Sequence, residues 1–267
     1  MSRPAVVFGD VHGDAFALRV LIRKIREQFG YEVDIFSLGD LIDRGPDSKD
    51  VIQTCVDEGI HGILGNHEIW FHQYLATGQF DNMALHPAMK GGATLRSYGV
   101  HSISPGTIER ELKSKVPESH KRFILGLPTY RKIVVDGVDY WLIHSGLKKT
   151  DGLAFNMEQA RENYGQPPGE DEVLMMDAIT AMNPGVLMWT SPNPYQSNLH
   201  KFNNGGVQIF GHRPVKLPII RKTYIAMDTG CGTCPPYRLS AICLPDRTII
   251  SSGKPDPLED SDGFVDL

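Results

Sequence analysis

Apolar residues recur in short blocks along this chain, and the first three strand-like blocks end alike. Ala5–Phe8 is an apolar run that stops at Gly9-Asp10, the pattern of a buried strand opening into a loop. Asp14 then stands at a helix N-cap position. Leu18, Leu21, Ile22 and Ile25 follow on one helical face, and Gly30 provides the stop. Residues 33–38 predict a second strand ending in Gly39-Asp40, residues 48–58 a helix closed by Gly59, and residues 60–64 a third strand ending in Gly65-Asn66-His67-Glu68. Strand and helix in alternation imply parallel strands joined by right-handed crossovers. Such sheets bind ligands beyond the carboxyl ends of their strands, where all three glycine-plus-polar groups fall.

After Ile69 the pattern changes. Residues 70–128, punctuated by Gly91-Gly92 and Pro117, predict helices and irregular chain forming a cap over the first three strands. Tyr130–Val135 and Val138–Ile143 flank an Asp136-Gly137 turn and predict a hairpin whose second strand ends at His144. Residues 147–204 return to helix and loop. Val207–Phe210 predicts a strand ending in Gly211-His212, and residues 224–227, 237–244 and 246–251 predict further strands. The acidic stretch over 252–267 is expected to be a mobile tail. With no repeat and no clear linker, residues 1–251 are expected to form one domain.

Composition narrows the field. A length of 267 residues suits one large α/β domain, and 41% hydrophobic with 22% charged residues is ordinary for a globular protein. A net charge of −5 speaks against a nucleic-acid coat or a basic membrane patch. No apolar run approaches the roughly 20 residues of a membrane span, and the first strand begins too early to leave room for a signal peptide. Cys55, Cys231, Cys234 and Cys243 are too sparse for a disulfide scaffold, so a reducing, cytoplasmic setting is expected.

The chemistry lies at the strand ends. Asp10, His12, Asp40, Asn66, His144 and His212 supply carboxylate, amide and imidazole groups from separate places. Such donors without thiolate suit Mn²⁺, Fe or Zn²⁺. A central carboxylate can bridge two ions about 3.5–4 Å apart, which lower the pKa of a shared water and clamp a phosphoryl group for in-line attack.

The motifs GDVHG at 9–13, GDLIDRG at 39–45 and GNHE at 65–68, followed by HSG at 144–146 and GH at 211–212, resemble the phosphoprotein-phosphatase type of calcineurin-like metallophosphoesterase. GGATLRSYG, FILGLPTYRK and DTG further resemble its small bacterial and phage branch, which includes Ser/Thr protein phosphatases and symmetric diadenosine-tetraphosphate hydrolases. The resemblance implies an α/β fold, a layered β-sandwich flanked by helices, and two divalent ions, with Mn²⁺ foremost and Fe or Zn²⁺ as alternatives. It implies that Asp10, His12 and Asp40 hold one ion, and that Asp40, Asn66, His144 and His212 hold the other. It implies further that Arg44, with Asn66, binds phosphate and that His67, oriented by Asp43, protonates the leaving oxygen.

Two departures bear on substrate. Branch members often carry an arginine two residues after a tryptophan, but Trp189 is followed by Thr190 and Ser191; Arg213, beside His212, is the nearest substitute. HSG is followed by Leu147-Lys148-Lys149 where a proline is common, and Lys148, Lys149 and Arg161 are further candidates. The Cys231–Cys234 spacing lacks a second pair, and Trp70, Phe71 and Tyr74 at helical spacing are read as core. The expected substrate is a phosphoprotein or a small phosphate ester or anhydride, without membrane or strong nucleic-acid binding. A dinucleoside-tetraphosphate hydrolase and a catalytically weak phosphate-binding regulator stand as alternatives.

Overall fold

A computed structural model describes residues 3–148, 176–177, 180–181, 184–195, 199–202, 204–233 and 238–253. Strands β1 (Ala5–Phe8), β2 (Asp34–Ser37) and β3 (His61–Gly62) run parallel, as the alternation predicts, with helices α1 (Ala15–Phe29) and α2 (Ser48–Asp57) as the crossovers. Asp14 caps α1 by accepting the Ala17 N–H at 2.8 Å. Further helices follow: α3 (Glu68–Thr77), a short 3₁₀ turn at Asn82–Leu85, α4 (Gly92–Ser97), α5 (Pro105–Lys115) and α6 (Glu118–Leu125). The hairpin β4 (Tyr130–Val135) and β5 (Val138–Ile143) turns through Asp136 and Gly137, both at positive φ. Then come α7 (Gly185–Trp189), β6 (Val207–Phe210), β7 (Ile219–Ile220), β8 (Tyr224–Ala226), β9 (Ser240–Leu244) and β10 (Thr248–Ser251).

Two mixed five-stranded sheets result, in the orders β10-β9-β1-β2-β3 and β4-β5-β6-β8-β7. Their sequences explain the layering. Both faces of the inner strands are covered, so the strands read as apolar runs whose alternate residues divide between two cores. Ala5, Val7, Ile242 and Leu244 of the first sheet meet Tyr140, Leu142, Val207, Ile209 and Ile225 of the second. Val6, Phe8, Ala241 and Cys243 face outward and receive Leu18, Leu21, Ile25, Val51 and Ile52 from α1 and α2. Trp70, Phe71, Ile108, Leu112 and Ile124 from the helices between 68 and 125 join that same outer core. On the far side, Trp141 stacks on Phe202 at 4.7 Å between ring centres.

Some boundaries differ from expectation. The third strand shrinks from 60–64 to two paired residues because Leu64 leaves the sheet and donates its N–H to the Pro128 carbonyl at 2.8 Å. β7 has only two residues, too few to display a period, and had no sequence signal. The predicted strand over 237–244 pairs from Ser240, with Tyr237 outside the described residues. Lys149, Arg161, Cys234 and residues 254–267 also lie outside them. No helix among the described residues is long and apolar enough to cross a membrane.

Leu142 is fully buried between the sheets. Leu142→Ala is therefore expected to destabilise the chain by about 2–5 kcal/mol, read as a lower urea midpoint with an unchanged slope. An unaltered midpoint would mean that the inter-sheet layer is not the core described.

Candidate metal centre

β1, β2 and β3 in one sheet and β5, β6 and β8 in the other are parallel sets, and their carboxyl ends meet at one edge of the sandwich. The loops after them carry Asp10 and His12, Asp40, Asn66 and His67, His144, His212 and Asp228. Bonds between the sheets close this edge: His144 Nδ1 lies 2.7 Å from the Leu38 carbonyl, and the His212 N–H is shared by both oxygens of Asp10 at 3.1 Å. The approach is close enough to need glycine at two points. Between the sheets, a Cβ on Gly211 would overlap Asp10 Oδ1, and between neighbouring loops of the first sheet one on Gly65 would overlap Asp40.

The structure gathers the sequence-derived candidates. His12, Asp40 and His67 offer ligand atoms all within 4.8 Å of one another, as do Asp40, His144 and His212, so Asp40 is common to both groups. Asp40 Oδ2 lies 3.6 Å from His12 Nε2, and Asp40 Oδ1 lies 3.3 Å from His144 Nε2. Asp10 Oδ2 stands 3.9 Å from His12 Nε2. The amide oxygen of Asn66 is approached by His144 Nε2 at 3.0 Å and His212 Nδ1 at 2.9 Å. Backbone carbonyls set the ring orientations: Ile42 receives His12 Nδ1 at 3.2 Å, leaving Nε2 directed inward, as the Leu38 contact does for His144.

Electrostatics agrees with a cation site. Burial, then repulsion from Asp228 and Asp40, holds the Asp10 carboxyl well above its ordinary range. Burial also raises Asp228 to about 6. For Asp40 burial is outweighed by His144 and His67, and its pKa is lowered. Burial drops His12 to about 3 and His212 to about 4, leaving both neutral as ligation requires. At His144 burial is outweighed by Asp40, and the pKa climbs to about 10. Without an ion, a proton thus sits on the imidazole that faces the shared carboxylate. Clustered buried carboxylates, an amide oxygen and inward-facing imidazoles, without thiolate, fit a pair of divalent ions.

Within the first of the two ligand groups, His67 also turns outward: its Nδ1 lies 2.9 Å from Asp43 Oδ2, and the rings of His12 and His67 meet edge to face at 4.7 Å. Asp40 and Asp43 overcome the effect of burial and raise the His67 pKa. Arg44 Nη1 donates to His12 Nε2 at 2.6 Å, at the mouth of the cluster. Arg213 Nη1 reaches the Ser191 carbonyl at 3.3 Å. Lys148 is half-buried and pairs across to Leu199.

Sequence reasoning gave no role to several residues here. The buried Glu68 carboxylate accepts the N–H groups of Asp40, Leu41, Ile42 and Gly65 at 2.8–3.1 Å. Trp70, read as core, is buried, yet its indole N–H also donates to Asp43 Oδ2 at 3.1 Å. Thr94 donates to Asp43 Oδ1 at 2.6 Å. Glu68, Thr94 and Asp228 all fall in stretches that carried the family resemblance, but the Asp40–Ile42 and Asp43 partners of Glu68 and Thr94 are too remote in sequence for spacing to reveal them.

Residues 3–216 match the family model described as calcineurin-like phosphoesterase. The chain belongs to the calcineurin-like phosphoesterase family. Among curated proteins it is 39% identical over 64 residues to serine/threonine-protein phosphatase 1 of Salmonella typhimurium, covering 23% of this chain and 28% of that protein. It is 36% identical over 64 residues to the symmetrical bis(5'-nucleosyl)-tetraphosphatase of Delftia acidovorans, covering 23% of this chain and 22% of that one. Both matches thus span less than a third of the relative's length. Among solved structures, a proposed diadenosine tetraphosphatase aligns with a TM-score of 0.54 at 18% identity, over 94% of this chain and 93% of its own. That likeness shows the two-sheet phosphoesterase fold.

The His144 proton makes a prediction about binding. An ion needs the neutral imidazole, and the ion-free group stays protonated below about 10. Apparent Mn²⁺ affinity should therefore rise between about pH 6 and about pH 8 by roughly tenfold per unit, with about one proton or more released. Calorimetry in buffers of different ionisation enthalpy measures this; a buffer-independent heat would contradict the assignment.

Proposed function

We propose that this chain is a metal-dependent phosphomonoesterase of the Ser/Thr phosphoprotein phosphatase kind. The observation that carries the reading is the placement of Asp40, one oxygen toward His12 and the other toward His144, with Arg44 and the His67–Asp43 pair at the same edge. Asp10, His12 and Asp40 would hold one ion, and Asp40, Asn66, His144 and His212 the other, with Mn²⁺ foremost and Fe or Zn²⁺ as alternatives. Such a pair supplies a water acidified enough to attack phosphorus at neutral pH, and offsets charge on the phosphoryl oxygens.

The remaining steps belong to side chains. Arg44 turns its guanidinium from His12 to the phosphoryl oxygens, forming charge-assisted bonds. The amide of Asn66 supplies a further phosphate contact. His67 gives its Nε2 proton to the leaving oxygen as the P–O bond breaks, while Asp43 holds Nδ1–H and stabilises the charged ring. The products are an alcohol and phosphate. Arg213 takes the place of the arginine missing near Ser191, a reading supported by its reach to that residue's carbonyl.

A symmetric dinucleoside-tetraphosphate hydrolase is the second reading. Trp189 favours it: the indole is half exposed, with its ring 6.4 Å from that of His212, and offers a face on which a nucleobase could stack. Turnover of a phosphoserine peptide and of diadenosine tetraphosphate, side by side with Mn²⁺, separates the two. Faster peptide hydrolysis, abolished by chelator, is expected; a reversed preference selects the second reading.

His67→Ala should lower kcat on the phosphoserine peptide by about 10²–10⁴-fold and on p-nitrophenyl phosphate much less, because a phenolate needs little protonation. Equal losses would remove His67 from the acid role. Arg213→Ala should raise KM or lower kcat on monoesters with the bound metal unchanged. Unaltered kinetics would move the second phosphate contact elsewhere.

A further inference from the structure

Asp43 is buried, yet nothing intrinsic to its side chain fixes the plane of its carboxylate, since rotation about its last torsion is soft. Neighbours must fix it. Oδ2 receives His67 and Trp70, at 2.9 and 3.1 Å, and Oδ1 receives the Thr94 hydroxyl at 2.6 Å. The backbone of Asp43 is itself in the left-handed region, at φ 70°. Its N–H is shared between Thr94 Oγ1 at 2.9 Å and Ser48 Oγ at 3.1 Å.

Counting protons at Thr94 settles the directions. A hydroxyl has one proton and two lone pairs. The proton goes to Asp43 Oδ1, so Ser48 Oγ, 2.9 Å away, must be the donor between the two hydroxyls. Thr94 then accepts from Ser48 and from the Asp43 N–H, and its bonding capacity is full. It is buried, as are Ser48, Asp43 and His67. α4, which carries Thr94, is pinned to α2 through the bond from Lys49 N–H to Ser97 Oγ at 3.1 Å. Gly91 at its start admits the Ala84 carbonyl, which accepts the Gly91 N–H at 2.7 Å.

We propose that Thr94 is a positioning residue for proton donation: by holding both the backbone and the carboxylate of Asp43, it presents His67 to the leaving group in one orientation. The inference deepens the reading of His67 as the acid and rests on it. Without the Thr94 hydroxyl, the Asp43 carboxylate turns about its soft torsion, and the His67 ring bonded to it loses its fixed direction. Metal ligation is left intact, because the Thr94 hydroxyl bonds to Asp43 and Ser48 and not to Asp10, His12, Asp40, Asn66, His144 or His212.

The test is the dependence of rate on leaving group. Thr94→Val keeps the branched shape and removes the hydroxyl. Its kcat on a phosphoserine peptide should fall by about 10–100-fold, the range seen when hydrogen-bond partners that orient metal ligands are lost. Turnover of p-nitrophenyl phosphate and bound Mn²⁺ should change little, and Thr94→Ser should recover the peptide rate. In a His67→Ala background, Thr94→Val should cost nothing further on the peptide. If Thr94→Val does not fold, Thr94→Ala carries the same expectations. Equal losses on both substrates, or no recovery with serine, would overturn the inference. A leaving-group effect in His67→Ala but not in the Thr94 variants overturns it while sparing the acid. The absence of that effect in His67→Ala removes the acid role and this inference with it.

Discussion

The site depends first on the Glu68 carboxylate. Its two oxygens take the backbone N–H groups of Asp40, Leu41, Ile42 and Gly65, and so tie the loop after β2 to the loop after β3. Four backbone N–H groups converge on one buried side chain, and such bonds are strongest while the carboxylate is ionised. It fixes the backbone of Asp40, whose Oδ1 in turn accepts the His67 N–H at 3.0 Å. Burial and the nearby Asp40 lift the Glu68 pKa to about 7, so the bonds are made against an electrostatic cost.

Such holding is needed because the site is strained. His12, Asp40, Asp43, Arg44 and His212 all have positive φ, a conformation that costs a non-glycine residue on the order of 1 kcal/mol or more. All five belong to the cluster or its rim. In that conformation the strand-end loops turn their side chains back toward the edge where the two sheets meet. Strain, close glycine contacts and a carboxylate clamp therefore serve one arrangement: two imidazoles from the second sheet meeting carboxylates from the first.

Much of the fold was legible because the sequence obeys simple periods. The βαβαβ start shows in apolar runs that end at Gly9, Gly39 and Gly65, and in the helical face from Leu18 to Ile25. The hairpin shows in its Asp136-Gly137 turn. What failed to show were features decided by distant pairing, such as β7 and the early exit of Leu64 toward Pro128. The candidate site divides in the same way. Asp10, His12, Asp40, Asn66, His144 and His212 stand at strand ends, where chemistry is expected, and the structure brings them together. Apart from the Gly65 N–H on Glu68, the bonds through which Glu68, Trp70 and Thr94 hold the Asp40–Asp43 loop span 26–51 positions, a separation that no local pattern reports.

Asp40 as a bridge is the claim on which everything else turns, and diffraction from Mn²⁺-soaked crystals on either side of the manganese absorption edge tests it most directly. The account predicts two anomalous peaks about 3.5–4 Å apart, with the Asp40 carboxylate touching both. A single peak, or two peaks that do not share Asp40, would contradict it.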